Sequence, residues 1–327
     1  MKIKTHISNL ENYKVYLQVE QATHAFMKKR GYLKVDVPVL SPALIPESYL
    51  EIFETKFNYF DRKESLYLTP SPELFLKRLL VSGIKDIYYL GKSFRNSEPN
   101  SSFHLPEFTM LEFYRVGYSY LELADEILEL MKYIDDKIKN QKAEISFKKW
   151  EQYTVAEAFE KFSDISERAL FDEKLFLKKA QEKGYKTGGF NYQDIFSQII
   201  SQEVEIKLGV NGSPAMLYDY PKQMASLAKL NKDGKTAKRV EFYIDGVEIG
   251  GCCEELSDWK EQEGRFKQED LNRRENNLIN HTIDKGFIEA LKYGLPDCTG
   301  AGIGFERLCM ALAGVKSISE LKLISLE

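Results

Sequence analysis

Cysteine is scarce in this 327-residue chain, and its four copies do not suggest pairing. Cys252 and Cys253 adjoin, Cys298 and Cys309 stand alone, and no CxxC spacing occurs. A disulfide framework and a zinc site are both disfavoured, and a reducing, cytoplasmic setting is expected. An excess of one charge is also missing. The 46 Lys and Arg against 50 Asp and Glu leave a formal charge of −4, which is no basis for holding nucleic acid by bulk electrostatics. No apolar run approaches the ~20 residues of a membrane span. The first residues, MKIKTHISNLENYK, carry no apolar segment of the kind a secretory signal needs. Glycine-loop nucleotide motifs are missing too. Gly91-Lys92-Ser93 mimics the end of a phosphate-binding P-loop, but Asp86 stands where its first glycine belongs, and no GxGxxG follows a strand. A nucleotide, if bound, is held by other means. Repeats and low-complexity tracts do not occur.

What is present describes an ordinary folded protein, with 43% hydrophobic and 13% aromatic residues and charge interspersed. The length allows one large domain or two smaller ones with a sizeable core. Residues 11–29 predict a helix with Val15, Val19, Ala22 and Phe26 near one face, closed by Gly31. Residues 32–40 read as a strand that Pro38 confines to an edge or interrupts. A short strand at 67–69 precedes a helix over 74–81 whose first turn carries Glu73. Ser119 with Glu122, and Thr154 with Glu157, make capping boxes that start two more helices. From about Trp150 to Leu208 the pattern is one of short charged helices without an obvious chemical residue, read as an insertion or flanking layer. The basic pairs Lys77-Arg78 and Arg273-Arg274 read as solvated helix faces.

Three stretches carry chemistry. In the first, FRNSEPNSSFHLPEFTMLEFYR, a long polar loop joins a strand at 87–90 to another at 108–114. Alternation sets Phe108, Met110, Glu112 and Tyr114 on one face and Thr109, Leu111, Phe113 and Arg115 on the other. Burying an unpaired carboxylate costs several kcal/mol, so Glu112 either faces a polar cleft or is paired with Arg115 or a neighbouring Lys. Arg95 opens the loop, with Glu98, His104 and Glu107 in or beside it, and its planar fork suits a phosphate.

The second stretch, RVEFYIDGVEIGGCCEE, holds Asp245-Gly246 between alternating runs and predicts a two-residue hairpin turn. That register pairs Ile244 with Val247, Tyr243 with Glu248, Phe242 with Ile249 and Glu241 with Gly250. Glu241 and Glu248 become diagonal neighbours, which suits either a Mg²⁺ between them or a solvated acidic face. Glu255 then interrupts an apolar stretch as Glu112 does. In the third, DCTGAGIGFERL, alternate glycines bare one face of a strand for a flat ligand or another backbone. Arg307 follows in the first turn of a helix, at the less favourable end of its dipole, a placement that a polyanion would offset.

Together these pieces resemble a known family. Gly31…Pro38, Phe94-Arg95…His104…Glu107-Phe108 and Gly302-Ile303-Gly304-Phe305-Glu306-Arg307 resemble, in order, motifs 1, 2 and 3 of class II aminoacyl-tRNA synthetases. SPELFLKRLL, HLPEFTMLEFY, EFYIDGVEIG and GIGFERL resemble the lysyl-tRNA synthetase catalytic core. A free-standing core of this length, with no room before motif 1 for an anticodon-binding barrel, is similar to the elongation factor P β-lysine ligases. The resemblance implies a single domain over 1–327 with an α+β fold, a mostly antiparallel sheet flanked by helices, and a helical insertion at about 150–208. It implies ATP-dependent activation of lysine or β-lysine as an aminoacyl-adenylate, and transfer to a lysine of elongation factor P. Arg95 and Arg307 would be catalytic. Asn96, Ser97, Glu98, His104, Phe108, Ile249 and Gly304 would join those two and Glu248 around ATP. Ser71, Glu73, Glu112, Tyr114, Glu255 and Gly302 would hold the amino acid, and Glu241 with Glu248 would hold Mg²⁺. A homodimer is also implied.

Some positions depart from the pattern. Ser97 stands where motif 2 has Glu, Leu105 replaces an Asn, and Gly251-Cys252-Cys253 replaces Asn-Gly-Phe. Gly302 is as in the lysyl-tRNA synthetases, whereas the β-lysine ligases tend to carry Ala. Adenylation remains the expectation and the amino acid stays open. The alternatives are a truncated tRNA-charging enzyme, another amino-acid ligase, or a silent ATP-binding paralogue; Glu73 and Glu255 argue for a cationic substrate.

Overall fold

Strand β1 (Ile3–Thr5) and helix α1 (Leu10–Lys29) lead into two short strands, β2 (Leu33–Lys34) and β3 (Leu40–Ser41). This is a computed structural model, and it describes residues 2–96, 101–138 and 145–326. The hairpin of β4 (Phe53–Tyr59) and β5 (Arg62–Leu68) precedes α2 (Glu73–Val81). Strands β6 (Ile87–Phe94) and β7 (Glu107–Val116) are followed by α3 (Tyr120–Asp135) and β8 (Glu151–Thr154). Four helices come next: α4 (Val155–Ser163), α5 (Glu167–Leu170), α6 (Glu173–Glu182) and α7 (Tyr192–Ile199). Strands β9 (Ala215–Pro221), β10 (Thr236–Ile244) and β11 (Val247–Glu254) lead to α8 (Trp259–Glu275) and α9 (Lys285–Lys292). The chain closes with β12 (Cys298–Gly304), α10 (Phe305–Ala313) and β13 (Ile324–Leu326).

Eight strands form the central sheet, in the order β2-β6-β7-β12-β11-β10-β9-β8, antiparallel except for the parallel pairs at its two edges. The expected α+β class and mostly antiparallel sheet are therefore found. One face packs on α1, α3 and α10, through Tyr88, Leu111, Phe113, Phe242, Ile249 and Ile303. On the other face α2, α8 and α9 cover only one end, around Ile87, Tyr89 and Cys298. Helices α4 to α7 share a third core with Ala215, Leu217, Tyr220 and Tyr243. The middle of that second face is left open, and its floor is β7, β12, β11 and β10.

Both capping boxes form as the sequence predicts, at Ser119 with Glu122 and at Thr154 with Glu157. The segment at 32–40 is interrupted: β2 joins the central sheet and β3 joins β4 and β5 in a separate three-stranded sheet. Gly91-Lys92-Ser93 lies within β6, as a strand and not a phosphate loop.

The hairpin register needs a correction. Asp245 and Gly246 make the expected turn, with φ of 50° and 74°, and Ile244 pairs with Val247 and Tyr243 with Glu248. Beyond that the register shifts, so that Phe242 faces Gly250 and Glu241 faces Gly251. Ile249 is the extra residue of a β-bulge, and Gly250 takes φ 151° with its Cα against the Gly302 carbonyl, where no side chain fits. The bulge inverts the alternation along β11. Glu248 before it and Gly251, Cys253 and Glu255 after it all line the open face, while Ile249 and Cys252 point into the core.

Two basic residues expected on solvated faces are instead buried. Lys77 and Arg273 are each 2% exposed, whereas Arg274 is solvated and Arg78 pairs with Asp284. Arg273 donates to the carbonyls of Glu47, Leu50 and Ile279, each at 2.7 Å, and pairs with Glu51 at 3.1 Å. It thereby fixes the 47–51 segment at the rim of the open face. Helix periodicity places charge outward by default; here internal carbonyls and carboxylates satisfy it inside.

Candidate active site

Two cavities share the open face. The smaller, of about 100 Å³, lies between Arg95, Phe108, Glu248, Gly304 and Arg307. The larger, of about 230 Å³, is lined by Ser71, Glu73, Glu112, Tyr114, Glu241 and Glu255 among others. Arg95, Met110, Glu248 and Gly302 belong to both linings, so the two are compartments of one site.

In the smaller cavity, β7 presents Phe108 and the Arg95 guanidinium lies over its ring, 5.3 Å from the centroid. Arg307, in the first turn of α10, donates from Nε to the Phe103 carbonyl at 3.0 Å and from Nη1 to the Glu248 carbonyl at 2.8 Å. Its Nη2 lies 2.7 Å from His104 Nε2. One side chain thus ties the loop before β7 to the bulged strand. Glu306 beside it is buried, accepting the Thr109 amide and the Lys322 ammonium, each at 2.8 Å. Ile249 and Leu105 also line this cavity. Asn96 does not: its side chain donates to the Ile52 carbonyl at 3.1 Å and ties the loop to the segment just before β4. Ser97 and Glu98 lie outside the described residues.

The larger cavity is anionic. Glu112, 5% exposed, accepts hydrogen bonds from Ser71 Oγ at 2.6 Å and Tyr114 Oη at 3.0 Å. Arg115, its alternative partner, is on the opposite face near Asp86 and Glu126. Burial, reinforced by Glu73, pushes the Glu112 carboxyl up to about 8. Behind the lining sits Lys77, whose ammonium pairs with Glu73 and, at 2.5 Å, with Glu255. Burial also raises Glu255, to about 7, against the pull of Lys77. Three carboxylates therefore face one built-in cation. Gly300 lies directly under Glu255 and the Tyr114 ring, so its Cβ would collide with both, whereas a Cβ on Gly302 would meet nothing within 4 Å. The bare face predicted for this strand is the floor of the site.

Glu241 and Glu248 both line the larger cavity, as diagonal neighbours across the hairpin. Glu241 accepts from Tyr220 Oη at 2.5 Å and Tyr243 Oη at 2.8 Å, and pairs with Arg239. Although burial opposes it, these partners hold its carboxyl below the usual range. Glu248 is raised, first by burial and then by Glu241. A like-charge pair of this kind fits Mg²⁺, which takes one or two carboxylates together with substrate phosphates. Among the described residues, no cluster of three or more His, Cys, Asp or Glu would hold a metal by itself.

Several contributors escaped the sequence reading. Lys77 is four residues from Glu73, a spacing that puts both on one side of α2, and that spacing was the available signal. Glu205, from the stretch read as chemically empty, accepts from Tyr243 Oη at 3.2 Å and is raised to about 7 by burial and by Glu241 and Glu248. Arg239, Glu47 and Tyr49 also reach the lining. Cys253 also lines the cavity, and its thiol lies 3.8 Å from Glu255 Oε1.

Known proteins match this arrangement along its length. The family described as tRNA synthetases class II (D, K and N) matches residues 4–324. The elongation factor P–(R)-beta-lysine ligase of Yersinia enterocolitica is 35% identical over 303 residues, covering 90% of this chain and 89% of that protein. The protein of the same name from Avibacterium paragallinarum is 34% identical over 322 residues, covering 97% and 95%. That of Vibrio atlanticus is 36% identical over 303 residues, covering 90% of each. Among the described residues no helix is long and apolar enough to cross a membrane.

Proposed function

The chain belongs to the class II tRNA synthetases of the D, K and N group, and from that premise we propose that it activates lysine or β-lysine with ATP and passes it to a lysine of elongation factor P. The observation that carries the reading is the charge count of the larger cavity. Fully ionised, Glu73, Glu112 and Glu255 carry two negative charges beyond the one that Lys77 balances, and a diamino acid brings two ammonium groups to match them. With a monoamine one carboxyl keeps its proton, and one ion pair is not made. The relatives' names, which join (R)-beta-lysine to elongation factor P, point the same way.

Each residue then has work to do. Phe108 and Arg307 sandwich the adenine through stacking and cation–π contact, and Arg95 neutralises the α-phosphate. Glu241 and Glu248 would hold Mg²⁺, which supplies further charge neutralisation at the phosphates. The amino-acid carboxylate attacks the α-phosphorus in line and pyrophosphate leaves. Such chemistry needs positioning and electrostatic stabilisation more than a general base. Transfer follows when an amine displaces AMP from the mixed anhydride. A homodimer is part of the same proposal, supported by the exposed Ile3, Ile7, Ile324 and Leu326 along the paired β1 and β13.

The test is ATP–pyrophosphate exchange against a panel of lysine isomers, ornithine and norleucine, followed by transfer to elongation factor P or tRNA. Exchange with diamino acids and transfer to the protein are expected. Background exchange with every lysine isomer would refute the proposal.

A further inference from the structure

A cavity larger than either compartment of the site lies beside it. It measures about 930 Å³, runs between the 190–198 segment, the turn at 222–227 and helix α8, and meets the larger cavity at Glu47, Tyr49 and Arg239. That volume far exceeds what one amino acid fills. Its lining includes the carboxylates of Glu47, Asp194, Glu261, Glu269 and Glu275. Against these five stand three cations: Lys222; Arg239, held by Glu241 and the Met224 carbonyl; and Arg265, held by Glu261 and the Ser226 and Ala228 carbonyls. Such a groove repels a phosphate backbone and suits a cationic side chain entering from outside.

Glu47 stands at the junction. Its backbone is fixed by Arg273, the next amide donates to Glu269 at 2.8 Å, and the Tyr49 hydroxyl donates to its carboxylate. The ionisable groups around it are Tyr49, Glu73, Arg95 and Glu269. It therefore lies between the Arg assigned to the phosphates and the Glu assigned to the amino acid, on the side from which an acceptor must come.

Building on the adenylation reading, we propose that this groove admits the acceptor lysine and that Glu47 takes the proton its ammonium must lose. The freed lone pair forms the N–C bond to the adenylate carbonyl carbon. The carbonyl–phosphate C–O bond breaks with its electron pair, and the second nitrogen proton departs with AMP. Desolvation at the junction, with help from Glu73 and Glu269, raises the Glu47 carboxyl against the opposing effects of Tyr49 and Arg95, making it the better base.

The test uses the full-length protein and its Glu47→Gln variant with two nucleophiles: elongation factor P, and hydroxylamine, which is uncharged at pH 7 and needs no base. Because Glu47 also lines the larger cavity, the quantity read is the ratio: in the variant, protein transfer should fall about 100-fold relative to hydroxamate formation, whatever change the substitution makes in pyrophosphate exchange. Raising the pH from 7 to 8.5 should restore protein transfer selectively, because more of the acceptor amine is then uncharged. Equal losses with both nucleophiles would make Glu47 a structural residue and overturn the proposal, as would unimpaired transfer. If the unaltered protein shows no exchange with any diamino acid, the adenylation reading itself fails and this one with it.

Discussion

Binding of a diamino acid should release protons, and the number can be worked out from the pocket. Both Glu112 and Glu255 lie above the ordinary carboxyl value of 4.5, at about 8 and about 7. At pH 7 both are then at least partly protonated, so full ionisation expels on the order of one proton. Two ammonium groups favour the ionised pair, so affinity rises with pH, with a slope on the order of one in log units near pH 7. Between pH 6 and pH 8 the gain integrates to about 10² to 10³-fold. The stability of the empty protein runs the other way. A carboxyl raised by folding stabilises below its unfolded value, and that contribution is lost as pH climbs through 7 to 8. Calorimetric titration with lysine isomers in phosphate and in Tris counts the protons directly. The Glu112→Gln variant should release fewer protons at pH 7 than the unaltered protein. An affinity flat in pH, proton uptake on binding, or an equal pH slope with norleucine would refute the charge count.

Other expectations follow from single contacts. Gly302→Ala adds a methyl where nothing lies within 4 Å, so thermal stability should hold while the exchange ratio of lysine to β-lysine shifts; an unchanged ratio would remove Gly302 from the substrate floor. Gly300→Ala drives a methyl into Glu255 and Tyr114 and should cost about 1–3 kcal/mol by denaturant melting, along with activity. Lys77→Met strands Glu73 and Glu255 and should cost about 3–5 kcal/mol, less below pH 7, where Glu255 takes up a proton. Arg307→Ala releases the Phe103 and Glu248 carbonyls together and should lower exchange about 10² to 10³-fold, read as kcat.

Local signals were legible in the sequence wherever their physics is local. Asp245-Gly246 specifies its turn whatever surrounds it, and both capping boxes are closed by residues three apart. The carboxylates in apolar strands were conspicuous because their burial has to be compensated. Illegible features depend on partners distant in sequence. Lys77 looks like any helix lysine until Glu255, far along the chain, arrives to meet it. Arg273 anchors a segment more than two hundred residues earlier. Strand β4, Phe53–Tyr59, alternates Phe53, Phe57 and Tyr59 with Glu54, Lys56 and Asn58, but it is almost wholly exposed and its partner strand β5 is charged at one end, so no buried core announces it. The bulge escaped because a glycine in a strand is compatible with both registers until Gly302 closes over it.

That bulge has a larger meaning than one shifted pair. It acts as a dislocation, a single extra unit that puts the two halves of β11 out of phase while leaving the sheet continuous. The phosphate-side carboxylate, Glu248, belongs to one phase and the amino-acid-side carboxylate, Glu255, to the other. Glu248 and Glu255 are seven residues apart, which on a regular strand would set them on opposite faces; the extra unit brings both to one face. Flattening the bulge without losing a residue would turn Glu255 toward the core and Glu254 toward the site, whereas deleting Gly250 would remove the extra unit and leave both Glu248 and Glu255 facing it.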